Sequence, residues 1–158
     1  MRISLIVAAD NENCIGRGGD LPWYLPSDLK WFKQVTAGHT CIAGRVTEDS
    51  IEKRLGKPLP NRTTIVVTHK HKANQVGVIH ATYPEQAIAQ AMYAEKRRNP
   101  DGNPPRELFI IGGVQIYKLF LPFADDDPKS AEVLSKVLLL ARDEEIKDPT
   151  ILEQLLRN

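Results

Sequence analysis

The feature that most constrains this fold is an alternation of short apolar runs with helical patterns along the first 121 residues. Strands predicted between helices in this way indicate an α/β protein with a mostly parallel sheet. The runs at 64–68 and 108–111 are apolar without alternation, as in strands covered on both faces, so we expect them in the centre. The predicted strands are 3–9, 40–43, 63–68, 76–81 and 107–111, and the predicted helices are 26–36, 45–54, 84–97 and 114–121.

Composition narrows the class of protein further. A chain of 158 residues is long enough for one buried core, so we predict a single domain over 1–158. Lys and Arg number 21 against 20 acids, which leaves no overall field to attract nucleic acid or a membrane. The two cysteines, Cys14 and Cys41, are too few for a disulfide-stapled secreted domain, which predicts a cytoplasmic location. The four histidines lack neighbours at metal-ligand spacing, so no metal is expected.

The last third of the chain has a different character. The stretch 98–106 is rich in Pro and Gly and is predicted to be a surface loop. After Pro122 we predict a turn at 124–128, a helix to about 134, a strand at 137–141 and a helical tail at 150–156.

Two predicted strands end at glycine and run directly into helices, at Gly44 and at Gly112-Gly113. A helix N-terminus presents unpaired N–H groups, and glycine lets a phosphate approach the backbone, so two such turns suit a pyrophosphate. The alternative is that glycine only permits a tight turn. Neither turn has the Gly-x-Gly-x-x-Gly or P-loop spacing, which disfavours a standard Rossmann site.

Basic residues lie close to these turns. Arg45 follows the first glycine, and the segment 68–72 comes just after a central strand, where open α/β sheets bind ligands. Such a cluster could hold an extra phosphate, which would favour NADPH over NADH; a solvated polar turn is the alternative. Arg62 precedes a central strand and could bind a carboxylate at the rim of a cleft, or only solubilise the surface.

Asp28 is an acid on the apolar face of the predicted helix 26–36, where helical spacing groups it with Phe32 and Val35. An Asp near a helix start commonly caps the helix. A desolvated carboxyl would instead have a raised pKa and could exchange a proton or hold a heterocycle. The preceding glycine-rich segment 14–23 is either a mobile lid or a plain flexible loop.

Read together, residues 1–122 resemble dihydrofolate reductase. The resemblance rests on Leu21-Pro22-Trp23 followed by Asp28, on Gly56-Lys57-Pro58-Leu59-Pro60-Asn61-Arg62, and on Gly44-Arg45 and Ile111-Gly112-Gly113. It implies reduction of 7,8-dihydrofolate to tetrahydrofolate with NADPH, and binding of antifolate-type small molecules.

The resemblance also implies roles for individual residues. Asp28 would hold the pterin ring and support protonation of its N5, Trp23 would fix a water near that acid, and Leu21 would lie in a closing lid. The substrate-binding residues would be Ile6, Val7, Ala8, Leu29, Phe32, Ile51, Leu59, Arg62 and Ile111, with Arg62 on the glutamate α-carboxylate. The cofactor-binding residues would be Ala8, Ile15, Gly16, Gly19, Gly44, Arg45, Val46, Thr47, Thr68, His69, Ile111, Gly112, Gly113, Val114, Gln115 and Tyr117. The Gly112-Gly113 peptide would be cis.

The chain departs from the family pattern at several places. Residues 52–55 would lengthen the second helix by about one turn, Glu48 replaces an aromatic residue, and Leu140 stands where a threonine would bond the catalytic acid. Residues 123–158 are divergent, and the helical tail replaces the family's last pair of antiparallel strands. The strand at 137–141 could then be an exposed edge, so we expect a monomer in which this edge offers a route to dimers.

These departures leave other functions open. One is a catalytically lapsed protein of the same fold that still binds folate or nucleotide. Another is a related pyrimidine reductase of riboflavin synthesis, although that family lacks the helix acid at Asp28.

Overall fold

The computed structural model describes residues 1–8, 14–18, 25–70, 72–73, 75–103 and 106–123. Five strands form one sheet in which every pairing is parallel. The strands are β1 (Arg2–Leu5), β2 (Thr40–Gly44), β3 (Thr63–Val67), β4 (Val78–Ala81) and β5 (Glu107–Gly112), in the spatial order β1-β5-β2-β3-β4. The helices are α1 (Pro26–Thr36), α2 (Arg45–Leu55), α3 (Pro84–Arg98) and α4 (Val114–Phe120), followed by a 3-10 turn at Leu121–Phe123.

The core lies along the three inner strands. Ile42, Ile65 and Ile110, from β2, β3 and β5, each have no exposed surface. This confirms that the apolar runs at 64–68 and 108–111 are inner strands, with β2 between them. The predicted α/β class is also confirmed, because helices separate most of the strands along the chain and cover the apolar sheet.

Two predicted strands are shorter than expected. The strand predicted at 3–9 ends at Leu5, and the Ile6 N–H makes a further 2.9 Å bond to the Ile110 carbonyl oxygen. The strand predicted at 76–81 begins only at Val78, because Val76 is 97% exposed and Gly77 has a φ of 86° in a turn. Apolar character extends past the backbone pairing in both cases, which explains the error.

The ends of the helices follow from their sequences. Pro26 occupies the first turn of α1, where its missing N–H costs nothing. Gly56 ends α2 in the left-handed conformation with φ 68°, and its N–H bonds to the Glu52 carbonyl oxygen at 2.8 Å. Residues 52–55 therefore belong to the last turn of α2, as predicted.

A partly buried polar network fixes α3 to the amino ends of two inner strands. Glu95 is 1% exposed and accepts a 2.7 Å bond from the Thr40 hydroxyl. Arg98 donates to Glu95 at 3.0 Å and to the Thr63 hydroxyl at 2.7 Å. The edge of the sheet formed by these amino ends is thus held by structural contacts.

Several predictions fall outside the described residues: the turn at 124–128, the following helix, the strand at 137–141 with Leu140, and the tail at 150–156. The single-domain boundary also stays a prediction. None of the helices described here is long and apolar enough to cross a bilayer.

Candidate functional site

The five parallel strands bring four predicted site segments to one edge of the sheet. Carboxyl ends of parallel strands share an edge, and ligands of open α/β sheets bind there. Ile6 follows β1, Arg45 follows β2, Thr68 follows β3 and Gly113 follows β5. Residues that are up to about a hundred positions apart in sequence therefore meet at this carboxyl edge.

The two glycine turns are in contact with each other. Ala43 pairs with Gly112 across a register shift between β2 and β5, and the Gly112-Gly113 peptide is cis, as expected. A Cβ added to Gly44 would lie 2.9 Å from Ile116 Cγ1, and one added to Gly112, at φ 114°, would lie 3.0 Å from the Tyr117 hydroxyl. The protein's own packing thus leaves little room for a side chain at either position, and the role of these glycines in binding a phosphate stays a prediction.

The N-terminus of α2 opens at this edge without a side-chain cap. Its N-cap is Gly44, which makes no side-chain cap bond to the first turn. Unlike Gly44 and Gly112, Gly113 has room, because an added Cβ would meet only Thr47 Oγ1, at 3.7 Å. Uncapped N–H groups at the positive end of the helix, with the neighbouring Thr47 hydroxyl and Arg45, form a donor set that fits the phosphates of a dinucleotide.

Tyr117 ties the end of β1 to α4. Its side chain is buried, and its hydroxyl donates a 2.6 Å hydrogen bond to the Ile6 carbonyl oxygen. Burial raises the pKa of Tyr117, and the negative charge of Asp28 raises it further. Tyr117 therefore links Asp28, Ile6 and Gly112, which come from different elements, in one neighbourhood.

Asp28 occupies the first turn of α1 but does not cap it. The N-cap residue is Leu25, and no side-chain cap bond is made there, so the capping interpretation is wrong. The carboxyl group is half-buried, and desolvation raises its pKa above the usual value for aspartate. Leu29 is half-buried beside it, and Phe32 packs against the core. Asp28 thus keeps its proton to a higher pH than an exposed aspartate does, as expected of a group that exchanges protons.

Arg62 is buried and held in place, so the solubilising interpretation is wrong. Its exposed fraction is 7%, and it donates from Nε to the Pro60 carbonyl oxygen at 3.0 Å and from Nη1 to Thr36 Oγ1 at 2.9 Å. The guanidinium carbon lies 5.8 Å from the centroid of the Phe32 ring. Burial lowers the pKa of Arg62. A rigid cation beside α1 is suited to bind a carboxylate.

The predicted basic cluster is largely neutralised by acids of α2. Arg45 Nη1 lies 2.9 Å from Asp49 Oδ2, and Lys72 Nζ lies 2.5 Å from Asp49 Oδ1 and 3.7 Å from Glu52 Oε2. The hydrogen bond from Lys72 lowers the pKa of Asp49. Sequence reasoning placed the cations correctly but missed the acids that pair with them.

Glu48, in α2, is buried, although the sequence analysis noted it only as a replacement for an aromatic residue. It is 7% exposed, and its Oε2 has no hydrogen-bond partner within the described residues. Desolvation raises the pKa of Glu48, and the charge of Glu52 adds to this effect. Its burial could have been predicted from helical spacing, because Glu48 precedes Ile51 by three positions and therefore lies on the same face of α2.

The remaining predicted residues divide by exposure. Ile6, Val7 and Leu59 are buried in the core, and Ile15, Ile51 and Ile111 pack against it. Val46, Gln115, His69 and Gly16 are exposed, while Ala8, Thr68 and Val114 are half-buried. Gly19, Leu21 and Trp23 lie outside the described residues. Across the described ranges, no group of three or more His, Cys, Asp or Glu side chains could hold a metal ion.

Comparison with known proteins identifies the family. The family profile described as "Dihydrofolate reductase" matches residues 2–133. The chain belongs to the dihydrofolate reductase family. That match spans both glycine turns, Asp28 and Arg62, so these predicted site residues all lie within the region shared with dihydrofolate reductases.

Individual relatives agree with this assignment. Dihydrofolate reductase of Buchnera aphidicola (subsp. Acyrthosiphon pisum) is 42% identical over 125 residues, covering 79% of this chain and 68% of that protein. The Bacillus subtilis dihydrofolate reductase is 39% identical over 123 residues, covering 78% of this chain and 64% of that protein. The chain thus spans about two thirds of the length of the relatives it matches.

A solved structure supports the fold. Dihydrofolate reductase from Enterococcus faecalis, complexed with NADP(H) and RAB-propyl, superposes with a TM-score of 0.63 at 34% sequence identity. The superposition covers 78% of this chain and 66% of that one. The predicted dihydrofolate-reductase-like sheet is therefore confirmed over the described residues.

Proposed function

We propose that this protein reduces 7,8-dihydrofolate to 5,6,7,8-tetrahydrofolate with NADPH, with Asp28 supporting protonation of N5. The observation that carries the proposal is the position of Asp28. It is a half-buried acid with a raised pKa, free of any capping role, near Tyr117 at the carboxyl edge of the sheet. Membership of the dihydrofolate reductase family supports the choice of reaction.

The reaction adds hydride to C6 and a proton to N5, so the carbon–nitrogen double bond becomes a single bond. NADPH supplies the hydride. The protein must align the ring, exclude water and provide one acid, and it needs no nucleophile. A carboxyl whose pKa is raised by burial keeps its proton to a higher pH than an exposed aspartate, which suits Asp28 to that task.

Binding of the substrate would use the groups around α1. Phe32 and Leu29 would contact the flat ring system, and Arg62 would bind the glutamate α-carboxylate. The bonds of Arg62 to Pro60 and Thr36 support this role, because a preorganised guanidinium loses little freedom when it binds an anion.

Binding of NADPH would use the carboxyl ends of β2, β3 and β5. The uncapped start of α2 and the Thr47 hydroxyl beside Gly113 would hold phosphate groups. Arg45 and Thr68 would lie at the adenosine end. The Enterococcus faecalis relative was solved with NADP(H), which supports the same cofactor here.

We extend the proposal to residues outside the described ranges and to the cellular setting. Trp23 would fix a water near Asp28, and Leu21 with Gly19 would belong to a lid that excludes solvent. The protein would work in the cytoplasm as a monomer, and the net charge of +1 agrees with the expected absence of a nucleic-acid partner. Antifolate-type molecules would compete with dihydrofolate for the Asp28 site.

The test is a steady-state assay that follows NADPH consumption with dihydrofolate, comparing wild type with Asp28→Asn. General acid support is worth roughly 10²–10⁴-fold, so turnover at neutral pH should fall by that order while the far-ultraviolet spectrum is unchanged. Asp101→Asn is the matched control, because Asp101 is an exposed acid in the loop before β5, at the opposite edge of the sheet.

Three results would contradict the proposal. If wild type binds NADPH and dihydrofolate in a titration but consumes no NADPH, the chain is a lapsed binding protein. If it instead reduces a pyrimidine intermediate of riboflavin synthesis, it is the related reductase. An Asp28→Asn protein as fast as wild type at neutral pH would remove Asp28 from the mechanism.

A further inference from the structure

Asp49 contacts two cations, Arg45 and Lys72, which line the same cleft as Thr68, where we propose the adenosine end of the cofactor. One carboxylate oxygen, Oδ2, is 2.9 Å from Arg45 Nη1, and the other, Oδ1, is 2.5 Å from Lys72 Nζ. Glu52 adds a second, longer contact to Lys72, at 3.7 Å. Asp49 therefore connects α2 to the segment that follows β3 through Oδ1, and it contacts Arg45 within α2 through Oδ2.

These residues line one shallow cleft whose charge is not positive. The cleft is bordered by α2, by residues of β3 and β4, and by Lys72, and its acids are Glu48, Asp49 and Glu52. Its formal cations are Arg45 and Lys72. Even when Glu48 is protonated, which its raised pKa favours, two carboxylates balance the two cations. A phosphate arriving here meets no excess of positive charge.

We infer that Asp49 acts through Arg45 and Lys72 as a positioning residue that weakens discrimination between NADPH and NADH; the inference rests on the proposed function. The 2′-phosphate that distinguishes NADPH is an anion and needs the same two cations that Asp49 already occupies. Binding it requires Asp49 to release them, or forces two anions to share them. NADH lacks this phosphate, so its binding leaves the Asp49 bridge intact.

The expected size of the effect follows from exposure. The side chains of Arg45, Asp49 and Lys72 are 46%, 36% and 53% exposed, so water screens these ion pairs. Exposed ion pairs are individually weak. Removing both pairs by neutralising Asp49 should change the ratio of the NADH to the NADPH dissociation constant by about 3- to 10-fold. Such a change is easily measured but would not abolish binding.

The experiment is isothermal titration of the full chain with NADPH and with NADH, for wild type and three variants. Asp49→Asn keeps the side-chain shape but removes the charge that holds both cations. The ratio of the NADH to the NADPH dissociation constant should rise by about 3- to 10-fold, through tighter NADPH binding. Glu52→Gln should move the ratio in the same direction but less, because its contact is longer and reaches Lys72 alone.

Asp101→Asn is the control for the loss of one negative charge, since it lies in the loop before β5, away from the carboxyl edge. It should leave the ratio unchanged. The inference is overturned if Asp49→Asn and Glu52→Gln keep the wild-type ratio, or if Asp101→Asn moves it equally. A wild-type chain that binds neither dinucleotide would overturn the proposed function itself. A chain that binds both and reduces dihydrofolate, with an unchanged ratio, would overturn only the role of Asp49.

Discussion

The Tyr117 hydroxyl donates a 2.6 Å hydrogen bond to the Ile6 carbonyl oxygen, joining two residues that are 111 positions apart. Ile6 follows the end of β1 and is buried, and the Tyr117 hydroxyl supplies a hydrogen-bond partner for its carbonyl group. The bond therefore holds the end of β1 against α4 and next to Asp28. The position of Ile6 in the proposed site therefore depends on α4, which follows β5 in the chain.

Removing this bond should destabilise the protein. Tyr117→Phe keeps the ring but leaves the Ile6 carbonyl oxygen unsatisfied, which should cost about 1–3 kcal/mol of unfolding free energy. Urea denaturation at fixed pH measures this cost as a lower midpoint with an unchanged slope. Tyr93→Phe, at a side chain that is 66% exposed, is the control and should stay within about 0.5 kcal/mol. Equal midpoints for the two variants would contradict the importance of the Tyr117 bond.

Glu48 should make stability depend on pH. Its pKa is raised in the folded protein, so the folded state binds this proton more tightly than the unfolded chain does. The stability that the folded state gains by binding this proton is present in full at low pH. It is lost as the pH rises through the folded-state pKa of Glu48. Glu48→Gln removes the charge that must be buried, so the variant should be the more stable protein at neutral pH.

The measurement is the difference in melting temperature between Glu48→Gln and wild type from acid to neutral pH. We expect the difference to grow in favour of the variant as the pH rises. Glu85→Gln, at an exposed acid in the first turn of α3, is the control and should show no such growth. A difference that shrinks with rising pH would mean that the Glu48 carboxylate is stabilised rather than desolvated.

Arg62 should contribute to binding only of substrates that carry the glutamate carboxylate. Arg62→Lys keeps the charge but loses the planar donor geometry, and we expect the KM for dihydrofolate to rise by about 10- to 100-fold. Steady-state assays with a dihydropterin that has no glutamate should show little change. If both substrates were weakened equally, Arg62 would act by supporting α1 through Thr36 rather than by binding the carboxylate.

Gly44 should resist enlargement for steric reasons. Its φ of −84° is open to any residue, but an added Cβ would lie 2.9 Å from Ile116 Cγ1. Gly44→Ala should therefore cost about 1–3 kcal/mol by overpacking. The double variant Gly44→Ala with Ile116→Ala should show favourable coupling in a double-mutant cycle. Strictly additive losses would show that the crowding is not with Ile116.

Sequence periodicity predicted most of the fold because burial in this protein follows local patterns. The continuous apolar runs around Ile65 and Ile110 identified inner strands, and Pro26 and Gly56 marked the start of α1 and the end of α2. Errors arose at Ile6 and Val76, where backbone pairing, rather than hydrophobicity, decides the end of a strand.

The site was predictable in its members but less so in its electrostatics. Asp28 and Arg62 were identified from their positions in the sequence. Only the structure showed that Asp28 does not cap α1 and that Arg62 is a buried residue rather than a solubilising one. The pairing of Asp49 with Lys72 joins α2 to a segment 23 residues later, and no local pattern encodes such a contact. The burial of Glu48 likewise depends on tertiary contacts, because α2 packs against β2 and β3.

The strand order has a consequence for synthesis of the chain. In the described sheet, β1 pairs only with β5, which is inserted between β1 and β2. A nascent chain that has not yet reached residue 107 can pair β2, β3 and β4 but has no partner strand for β1. The end of β1 at Ile6 and the turn at Gly44 are thus brought to one edge of the sheet only after β5 and α4 have left the ribosome. Ligands that need both halves of this edge can bind only a chain whose translation has passed that point.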